Sequence, residues 1–273
     1  MSEIELVNGD IRNPLIVMKA CENIDVVCHL AAINGTEFFY SKPHLTLEVA
    51  VKGMMNVLDA CVKNRVGELL FLSSSEVYQG VEKFPTSEDQ CLTVPDPLNP
   101  RYSYGGGKLI SELMAINYGR QFFKRVLIVR PHNVYGPDMG EEHVIPQFLL
   151  RLKKSKFNNQ SKISNFSIQG SGNETRSFIF IDDFISGLDI ILKKGDHLGI
   201  YNLGTSEEIS IKDLAFQLAN VNEQKIKIKP GKLRQGSTQR RCPDVTKIKN
   251  LGFVPKISLA RGLELTSHWY NLQ

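Results

Sequence analysis

A tyrosine and a lysine, Tyr104 and Lys108, lie four residues apart in a stretch whose pattern predicts a helix over residues 104–120. Side chains at this spacing share one face of a helix, so the ammonium group is expected beside the phenol. A free phenol, with a pKa of about 10, is a poor base at neutral pH, but a nearby ammonium favours the phenolate. The pair could therefore take a proton from a substrate hydroxyl. Because such pairs also arise by chance, this spacing alone does not establish a function.

A run of three serines and a glutamate, Ser73–Glu76, ends a predicted strand about 30 residues before Tyr104. A hydroxyl of this run could share the substrate proton with Tyr104, and a carboxylate there could act as an acid or a base on a neighbouring carbon. The other interpretation is a serine-rich turn with a solvated glutamate. These residues alone leave both interpretations open.

Glycines near Lys108 suggest a phosphate-binding loop, but the match fails. The loop requires a glycine at position 102 and a serine or threonine after the lysine, where this chain has Tyr102 and Leu109. We predict instead that Gly105–Gly107 let the helix start close to another part of the backbone. Residues 170–172 also lack the third glycine of a dinucleotide loop and are predicted to form a turn.

Three arginines, Arg176, Arg240 and Arg241, are candidates for binding a diphosphate, since the guanidinium group suits bidentate phosphate contacts. Residues 225–249 hold nine lysines or arginines and a single acid, Asp244. For the lysines of this stretch, a solvated basic face is the simpler interpretation.

The elements that must position these residues alternate between strand and helix. Apolar runs predict strands at residues 4–7, 25–30, 68–73 and 125–130, and helical spacing predicts helices at 14–22, 45–63 and 104–120. Continuously apolar strands indicate a parallel sheet covered by helices on both faces. Ligands bind such sheets at the carboxyl ends of the strands. We therefore expect Asp10, Ala31-Ala32, Ser73–Glu76 and His132-Asn133 to converge on one edge.

The second half of the chain is less regular. Residues 151–165 are basic and polar and are predicted to form a loop or insertion. Strands are expected at 177–181 and 199–203, and a helix at 182–192. Ser210 and Ser258 are expected to cap helices that run to about Asn220 and Trp269.

Composition excludes several classes of protein. Of the 273 residues, 42% are apolar and 23% charged, as in ordinary globular proteins. No apolar stretch approaches a membrane span, and the first residues lack the basic region of a secretory signal. The net charge of +4 is too small to indicate nucleic acid as the main partner. Five cysteines without a CxxC pair favour neither disulfides nor a metal site, and we expect a reduced, cytoplasmic protein in which Cys21, Cys28 and Cys61 are buried.

Short motifs follow one another along nearly the whole chain. They are Asn8-Gly9-Asp10-Ile11, His29-Leu30-Ala31-Ala32, Ser73-Ser74-Ser75-Glu76-Val77-Tyr78, Tyr104-Gly105-x-x-Lys108, Arg130-Pro131-His132-Asn133-Val134-Tyr135-Gly136-Pro137, Arg176-Ser177-Phe178 before Asp182-Asp183, Tyr201-Asn202-Leu203-Gly204, Arg240-Arg241-Cys242-Pro243-Asp244 and Leu251-Gly252-Phe253-x-Pro255. In this order they resemble the extended short-chain dehydrogenase/reductases, which include the nucleotide-sugar epimerases, dehydratases and decarboxylases.

The resemblance implies an NAD-dependent mechanism with transient oxidation of the sugar at C4. Tyr104 is the expected base, and Lys108 is expected to hold the nicotinamide ribose and to lower the tyrosine pKa. Ser74 is expected to bind the hydroxyl that is oxidised. Glu76 matches a carboxylate that dehydratases and decarboxylases use. The expected outcome is 4-epimerisation, with 4,6-dehydration or decarboxylation as close alternatives and a non-catalytic binding or regulatory relative as the alternative from another class.

The resemblance also implies binding roles. The residues expected to contact NAD are Asp10 and Ile11 at the adenine, Leu30, Ala31 and Ala32 at the diphosphate and ribose, and Tyr104, Lys108 and Pro131. The residues expected to hold the diphosphate of the nucleotide sugar are Asn133, Arg176 and Arg241, beside Ser74 at the sugar. No metal, nucleic acid or membrane partner is expected. The resemblance also implies a homodimer whose interface is formed by the helices at 45–63 and 104–120. Met54 and Met55 are expected to lie in this interface.

Two departures from the family stand out. The sequence contains no GxGxxG or GxxGxxG motif, so the Rossmann-like, doubly wound sheet is expected to be incomplete at its N-terminal side. In the order of the sheet, two strands would be missing between the strand at 4–7 and the strand at 25–30. This predicts either a truncated or mis-started chain, or a partner that supplies the missing part. In addition, Ala50 stands where the family usually has asparagine, and Gly107 where serine is common. The expected division is a dinucleotide-binding domain at 1–137 and 173–205, with a smaller mixed α/β substrate lobe at 138–172 and 206–273.

Overall fold

The computed structural model describes residues 4–158 and 163–272. The α-helices of this part are α1 (Pro14–Ala20), α2 (Thr36–Ser41), α3 (Pro43–Leu47), α4 (Gly53–Asn64), α5 (Ser103–Phe122), α6 (Val144–Asn158), α7 (Ile181–Lys194), α8 (Ile211–Val221), α9 (Thr246–Asn250) and α10 (Leu259–Leu272). A π-helical turn, Glu48–Lys52, joins α3 to α4, and 3₁₀ turns lie at Ser75–Val77 and Pro100–Tyr102.

The strands of the described residues form one larger and three small sheets. They are β1 (Val26–His29), β2 (Glu68–Leu72), β3 (Arg125–Pro131), β4 (Val134–Tyr135), β5 (Ser164–Ile168), β6 (Thr175–Ser177), β7 (Ile179–Phe180), β8 (Gly199–Leu203), β9 (Glu208–Ser210), β10 (Ile226–Pro230) and β11 (Arg240–Arg241). The larger sheet is parallel, in the order β1-β2-β3-β8. The smaller sheets pair β5 with β10, β6 with β9 and β11, and β4 with β7.

The parallel sheet is apolar on both faces because helices cover each of them. Phe71 and Ile128 pack in one cluster with side chains of α1, α4 and α5. Their neighbours Leu70 and Leu127 point to the opposite face and pack against α7 and α9. This alternation along each strand confirms the predicted α/β fold with helices on both faces.

The strand predicted at residues 4–7 is wrong. Residues 4–10 are irregular, and Ile4 and Leu6 are 93% and 90% exposed. A strand forms only when another strand satisfies its backbone groups, and no described strand lies beside these residues. The edge strand β1 likewise leaves Cys28 exposed, which corrects the expectation that this thiol is buried, whereas Cys21 and Cys61 are buried together in the core.

The prediction of a loop at 151–165 is also wrong for the residues that the structure describes. Helix α6 continues to Asn158 and strand β5 begins at Ser164; residues 159–162 lie outside the described residues. Ile145, Phe148 and Leu152 lie at helical spacing and are buried, so one apolar face holds the helix in place despite the lysines around it.

The other predicted elements of the second half are largely confirmed. The strand expected at 177–181 is divided, since β6 pairs with β9 and β7 pairs with β4, and α7 begins at Ile181. Ser210 caps α8, accepting a hydrogen bond from the backbone N–H of Asp213. The Ser258 hydroxyl accepts one from the N–H of Arg261 at the start of α10. Among the described residues, the helices are all too short or too polar to cross a membrane.

Candidate active site

The serine run and the tyrosine helix meet at the carboxyl end of β2. Ser74 follows this strand in an extended conformation, and its Oγ accepts a hydrogen bond from the N–H of Glu76 at 3.1 Å, which starts the 3₁₀ turn. The Ser74 side chain lies near the Tyr104 hydroxyl, and hydrogen bonding from it acts to lower the pKa of the tyrosine. A Cβ atom on Gly105 would lie 2.5 Å from the carbonyl oxygen of Glu76. The predicted close backbone approach at these glycines is therefore confirmed.

Lys108 lies on the same face of α5 as Tyr104, as predicted. Its Nζ donates a hydrogen bond to the carbonyl oxygen of Leu72 at 2.6 Å and lies 5.9 Å from the centre of the Tyr104 ring. The side chain is buried, and burial lowers the pKa of Lys108 to about 8, although Glu112 acts in the opposite direction. The lysine is thus fixed at the end of the strand with a weakened hold on its proton.

The expected lowering of the tyrosine pKa is wrong for this structure. Burial raises the pKa of Tyr104 to about 12, while the hydrogen bond from Ser74 acts in the opposite direction. Phe39 covers the phenol, with the two ring centres 4.7 Å apart and the planes only 12° from parallel. Desolvation under this ring opposes formation of the phenolate.

Glu76 is held between two arginines, and we call Glu76, Arg101 and Arg241 the active-site cluster. Its carboxylate oxygens lie 2.8 Å from an Nη of Arg101 and 2.7 Å from Nη1 of Arg241. Burial alone would raise the pKa of Glu76, but the two guanidinium groups outweigh it and hold that pKa well below its ordinary value. The alternative of a solvated glutamate is therefore wrong.

Arg101 was not among the predicted site residues. The sequence did hold one signal, since Arg101 lies three residues before Tyr104, a spacing that places two side chains on neighbouring parts of a helical surface. What the sequence lacked was the partner, because Glu76 reaches Arg101 only through the packing of the 3₁₀ turn after β2 against the start of α5.

Arg176 and Arg241 are brought together as neighbours in the pairing of β6 with β11. The guanidinium of Arg176 donates to the carbonyl oxygens of Thr175 at 2.7 Å and Thr238 at 2.6 Å. Burial and the charge of Arg241 lower the pKa of Arg176 to about 10. Arg240, the third arginine candidate, points away from the cluster and pairs with Glu208.

Asn133 follows β3 with a left-handed backbone, at φ 42°. Its Nδ2 donates a hydrogen bond to the carbonyl oxygen of Ser177 at 2.8 Å, which ties the end of β3 to the β6–β7 segment. Asn133 is thus placed near the strand that carries Arg176, but in the described structure the hydrogen bonds of these two side chains go to different backbone carbonyl groups.

The predicted cofactor residues occupy separate positions. Leu30 and Ala31 are exposed just after β1, Ala32 is half-buried, and Pro131 ends β3. Asp10 and Ile11 lie instead against α4 and the π-helical turn. Asp10 forms an ion pair with Arg12 that lowers its pKa to about 2, and the carbonyl oxygen of Ile11 accepts a hydrogen bond from Asn56.

These residues fit part of a dinucleotide. Tyr104 and the buried ammonium of Lys108 offer donors to a nicotinamide ribose, and exposed small or apolar residues follow β1. No glycine-rich turn in the sequence supplies a diphosphate cradle. The described residues therefore fit the nicotinamide end, and contain no such cradle for the diphosphate.

The two substitutions relative to the family lie in contact. A Cβ atom on Gly107 would lie 2.9 Å from the Cβ of Ala50, and the carbonyl oxygen of Ala50 accepts a hydrogen bond from Ser111 at 3.0 Å. A small residue at one position thus matches a small residue at the other, which lets α5 and the π-helical turn pack closely.

Comparison with known proteins agrees with this geometry. UDP-glucuronic acid decarboxylase 5 of Arabidopsis thaliana is 30% identical over 98% of this chain and 75% of its own length. The dTDP-D-glucose 4,6-dehydratase of Dictyostelium discoideum is 31% identical over 74% of this chain and 46% of its own length.

Solved structures give the same result. A dTDP-glucose 4,6-dehydratase from Streptomyces venezuelae, solved with NAD bound, superposes with a TM-score of 0.85 at 27% identity, over 97% of this chain and 79% of that one. A UDP-glucose 4-epimerase from Thermotoga maritima gives 0.84 at 25% identity, over 97% and 83%. The model of the NAD dependent epimerase/dehydratase family matches residues 1–204. Sequence, fold and relatives agree that this chain belongs to the NAD-dependent epimerase/dehydratase family, whose members include nucleotide-sugar dehydratases, decarboxylases and epimerases.

Proposed function

We propose that this chain oxidises a nucleotide sugar transiently at C4, with Tyr104 as the proton acceptor and Ser74 as the group that holds the C4 hydroxyl. The observation that carries this proposal is the position of Ser74 near the Tyr104 hydroxyl, with the ammonium of Lys108 buried 5.9 Å from the centre of the ring. When bound, NAD supplies the hydride acceptor, and the positive charge of its oxidised ring favours a phenolate nearby.

The position of the two hydroxyl groups suits proton transfer in both directions. A substrate hydroxyl between Ser74 and Tyr104 can pass its proton to the phenolate while the serine keeps the oxygen oriented. When the carbonyl is reduced again, the tyrosine returns the proton. Lys108 is the proposed contact of the nicotinamide ribose, and the Leu72 carbonyl keeps its ammonium in place.

For the second half-reaction, we propose decarboxylation of a nucleotide-linked hexuronic acid. Oxidation at C4 makes such a substrate a β-keto acid, so the C5–C6 bond can break, CO₂ leaves and the electron pair moves onto the C4 oxygen. The hydroxyl groups of Ser74 and Tyr104 can donate hydrogen bonds to that enolate oxygen. C5 then takes a proton from water, and the hydride removed in the oxidation returns to C4 while Tyr104 returns the proton to the C4 oxygen.

The active-site cluster favours decarboxylation over dehydration. Loss of water from the 4-keto sugar needs a base that removes the C5 proton and an acid that protonates the leaving hydroxyl. Two arginines keep Glu76 ionised, so it could serve as the base but not as the acid. Because Arg241 is also a proposed contact of the substrate diphosphate, Arg101 is the cation of the cluster that is left for a sugar with its own carboxylate. The 4-epimerisation predicted from the sequence is the second candidate, because it needs only Ser74, Tyr104 and Lys108 among the protein groups.

The remaining predicted roles are part of the same proposal. Asn133, Arg176 and Arg241 are the proposed contacts of the substrate diphosphate, and Arg176 and Arg241 already lie side by side. Residues 138–172 and 206–273 are the proposed substrate lobe. Within this lobe, α6, α8 and α10 share an apolar cluster with β5, and Tyr135, Phe178 and Phe180 of the other proposed domain pack against the same cluster.

The proposed homodimer has one correction. Met54 is fully buried within the chain and cannot contribute to an intersubunit surface, whereas Met55 is 46% exposed. Leu47 on α3, and Ile110 and Leu113 on α5, are also exposed apolar side chains. Sedimentation of the purified chain tests this proposal, and Leu113→Glu is expected to shift a dimer towards monomer.

The function is tested with the purified chain, NAD⁺ and a set of sugars: UDP-glucuronic acid, UDP-glucose and dTDP-glucose. Denaturing a portion and assaying the supernatant first shows whether a dinucleotide is bound. We expect UDP-glucuronic acid to give CO₂ and a UDP-pentose. A C4-epimer of UDP-glucose would favour the second candidate, and a 4-keto-6-deoxy product would contradict the assignment of Glu76. A chain with neither dinucleotide nor turnover would match the non-catalytic alternative.

A further inference from the structure

Arg101 is a buried cation with unused hydrogen-bonding capacity. Only 7% of the residue is exposed. One of its terminal nitrogens, Nη2, donates to Glu76 at 2.9 Å, whereas Nη1 is buried and has no hydrogen-bond partner among the residues that the structure describes. A buried donor without a partner is costly, and such groups often mark a position that a ligand fills.

Backbone contacts hold Arg101 close to the tyrosine. The 3₁₀ turn Pro100–Tyr102 runs directly into α5, and the Asn99 side chain accepts a hydrogen bond from the N–H of Arg101 at 3.0 Å. The guanidinium lies 5.3 Å from the centre of the Phe39 ring, the ring that stacks on Tyr104. Arg101 is therefore positioned by short, local contacts next to the proposed reaction centre.

The charges around Arg101 are unbalanced. Glu76 is the carboxylate in contact with it, and the same carboxylate also pairs with Arg241. The guanidinium of Arg176 lies next, on the strand beside Arg241. One glutamate does not neutralise these cations. The proposed diphosphate takes up the charge of Arg176 and Arg241, and the free Nη1 of Arg101 is left as the donor for a further anionic group.

We propose that Arg101 is a specificity-determining residue whose Nη1 binds the carboxylate of the sugar in a nucleotide-linked hexuronic acid. This inference rests on the proposed function, since only that substrate carries a carboxylate at the reacting sugar. The contact selects the substrate; it does not accelerate the loss of CO₂, because binding a carboxylate does not by itself favour its departure. Arg101 therefore distinguishes a uronic acid from the neutral sugar on the same nucleotide.

The test measures binding, so that it does not depend on turnover. UDP-glucuronic acid and UDP-glucose are titrated by calorimetry into NAD-supplemented protein carrying Tyr104→Phe. We expect the uronic acid to bind about 10- to 100-fold more tightly, as for a charge-assisted hydrogen bond. Adding Arg101→Gln should remove most of this preference and leave the affinity for UDP-glucose nearly unchanged. Arg120→Gln, on the exposed side of α5, is the matched control and should keep the preference.

The outcomes separate this inference from the proposed function. If the parent protein shows no preference for the uronic acid, the proposed substrate class is wrong and the inference falls with it. If the preference exists and survives Arg101→Gln, the inference is wrong and the substrate class stands. Equal losses for both nucleotides would show that Arg101 only positions Glu76, and would also overturn it. If Arg101→Gln does not fold, Arg101→Lys replaces it. This variant keeps the positive charge but lacks the planar guanidinium group, so that no nitrogen can bind a carboxylate while another binds Glu76. An unchanged preference for the uronic acid in this variant would contradict the inference.

Discussion

Two buried arginine–glutamate clusters of this chain differ in how completely their hydrogen-bonding groups are used. In the first, which we call the structural cluster, Arg130 donates to both carboxylate oxygens of Glu112 at 2.9 and 2.6 Å, and to the Tyr78 hydroxyl at 2.6 Å. In the active-site cluster, two arginines share Glu76, and Nη1 of Arg101 has no hydrogen-bond partner in the described part of the chain. The first cluster is balanced and closed, and the second carries excess charge and an unused donor.

The difference teaches which buried charges hold the fold and which await a ligand. A buried ion pair contributes little net stability, but removing one partner leaves an uncompensated charge and is strongly destabilising. In the active-site cluster, removing one arginine leaves a balanced pair. Stability should therefore depend on the structural cluster, and substrate handling on the other.

The largest expected effect lies at Tyr104, beside the active-site cluster. Tyr104→Phe removes the proposed proton acceptor and should lower turnover by about 10²- to 10⁴-fold. Tyr118→Phe is the matched control, because Tyr118 lies on the same helix and its hydroxyl contacts Asp59 at the surface. Steady-state kinetics on both variants test this expectation, and near-normal turnover by Tyr104→Phe would remove the tyrosine from the mechanism.

Arginine substitutions compare the two clusters directly. Arg130→Gln leaves Glu112 buried without its partner, so the free energy of unfolding should fall by about 3–5 kcal/mol. Arg241→Gln leaves Glu76 paired with Arg101, so the fall should stay below about 1 kcal/mol while turnover drops. Denaturant unfolding and activity per folded molecule measure both quantities. Similar losses of stability in the two variants would erase the distinction between the clusters.

Lys108 gives a pH-dependent effect. Burial lowers its pKa from 10.5 to about 8, so between these values the unfolded chain binds more protons than the folded one. Stability from this group therefore rises as the pH increases from about 8 to about 10, on the order of 2 kcal/mol. Lys108→Met should lose this rise, whereas Lys124→Met, at an exposed lysine, should keep it. Unfolding curves at both pH values decide the matter, and identical pH profiles for the two variants would contradict the shift.

The smallest effect is expected at a surface ion pair, which sets the baseline for both clusters. Lys193 and Asp189 are 69% and 56% exposed in their side chains, with Nζ and Oδ2 2.7 Å apart. Lys193→Gln should change the free energy of unfolding by less than about 0.5 kcal/mol, because water and salt screen the pair. A loss comparable to that of Arg130→Gln would mean that burial does not explain the structural cluster.

The sequence predicted those parts of the site that depend on local spacing. Tyr104 and Lys108 share a helical face because they are four residues apart, and Ser74 lies at a strand end because an apolar run precedes it. The α/β fold followed from the same periodicities. The contact between Glu76 and Arg241 depends on how distant segments pack, and no local pattern indicated it.

The errors have physical causes of the same kind. The pKa of Tyr104 depends on desolvation under Phe39, which no spacing indicated. The strand expected at 4–7 fails because a strand requires a neighbour. Helix α6 was missed because its lysines and polar residues concealed the apolar face formed by Phe148 and Leu152.

The most direct test of transient oxidation at C4 uses UDP-glucuronic acid with deuterium at C4. The reaction is quenched during turnover, and the bound dinucleotide is analysed by mass spectrometry. We expect deuterium in the reduced nicotinamide during turnover, its return to C4 of the product, and no transfer in Tyr104→Phe. Product that forms while no deuterium reaches the dinucleotide would contradict oxidation at C4.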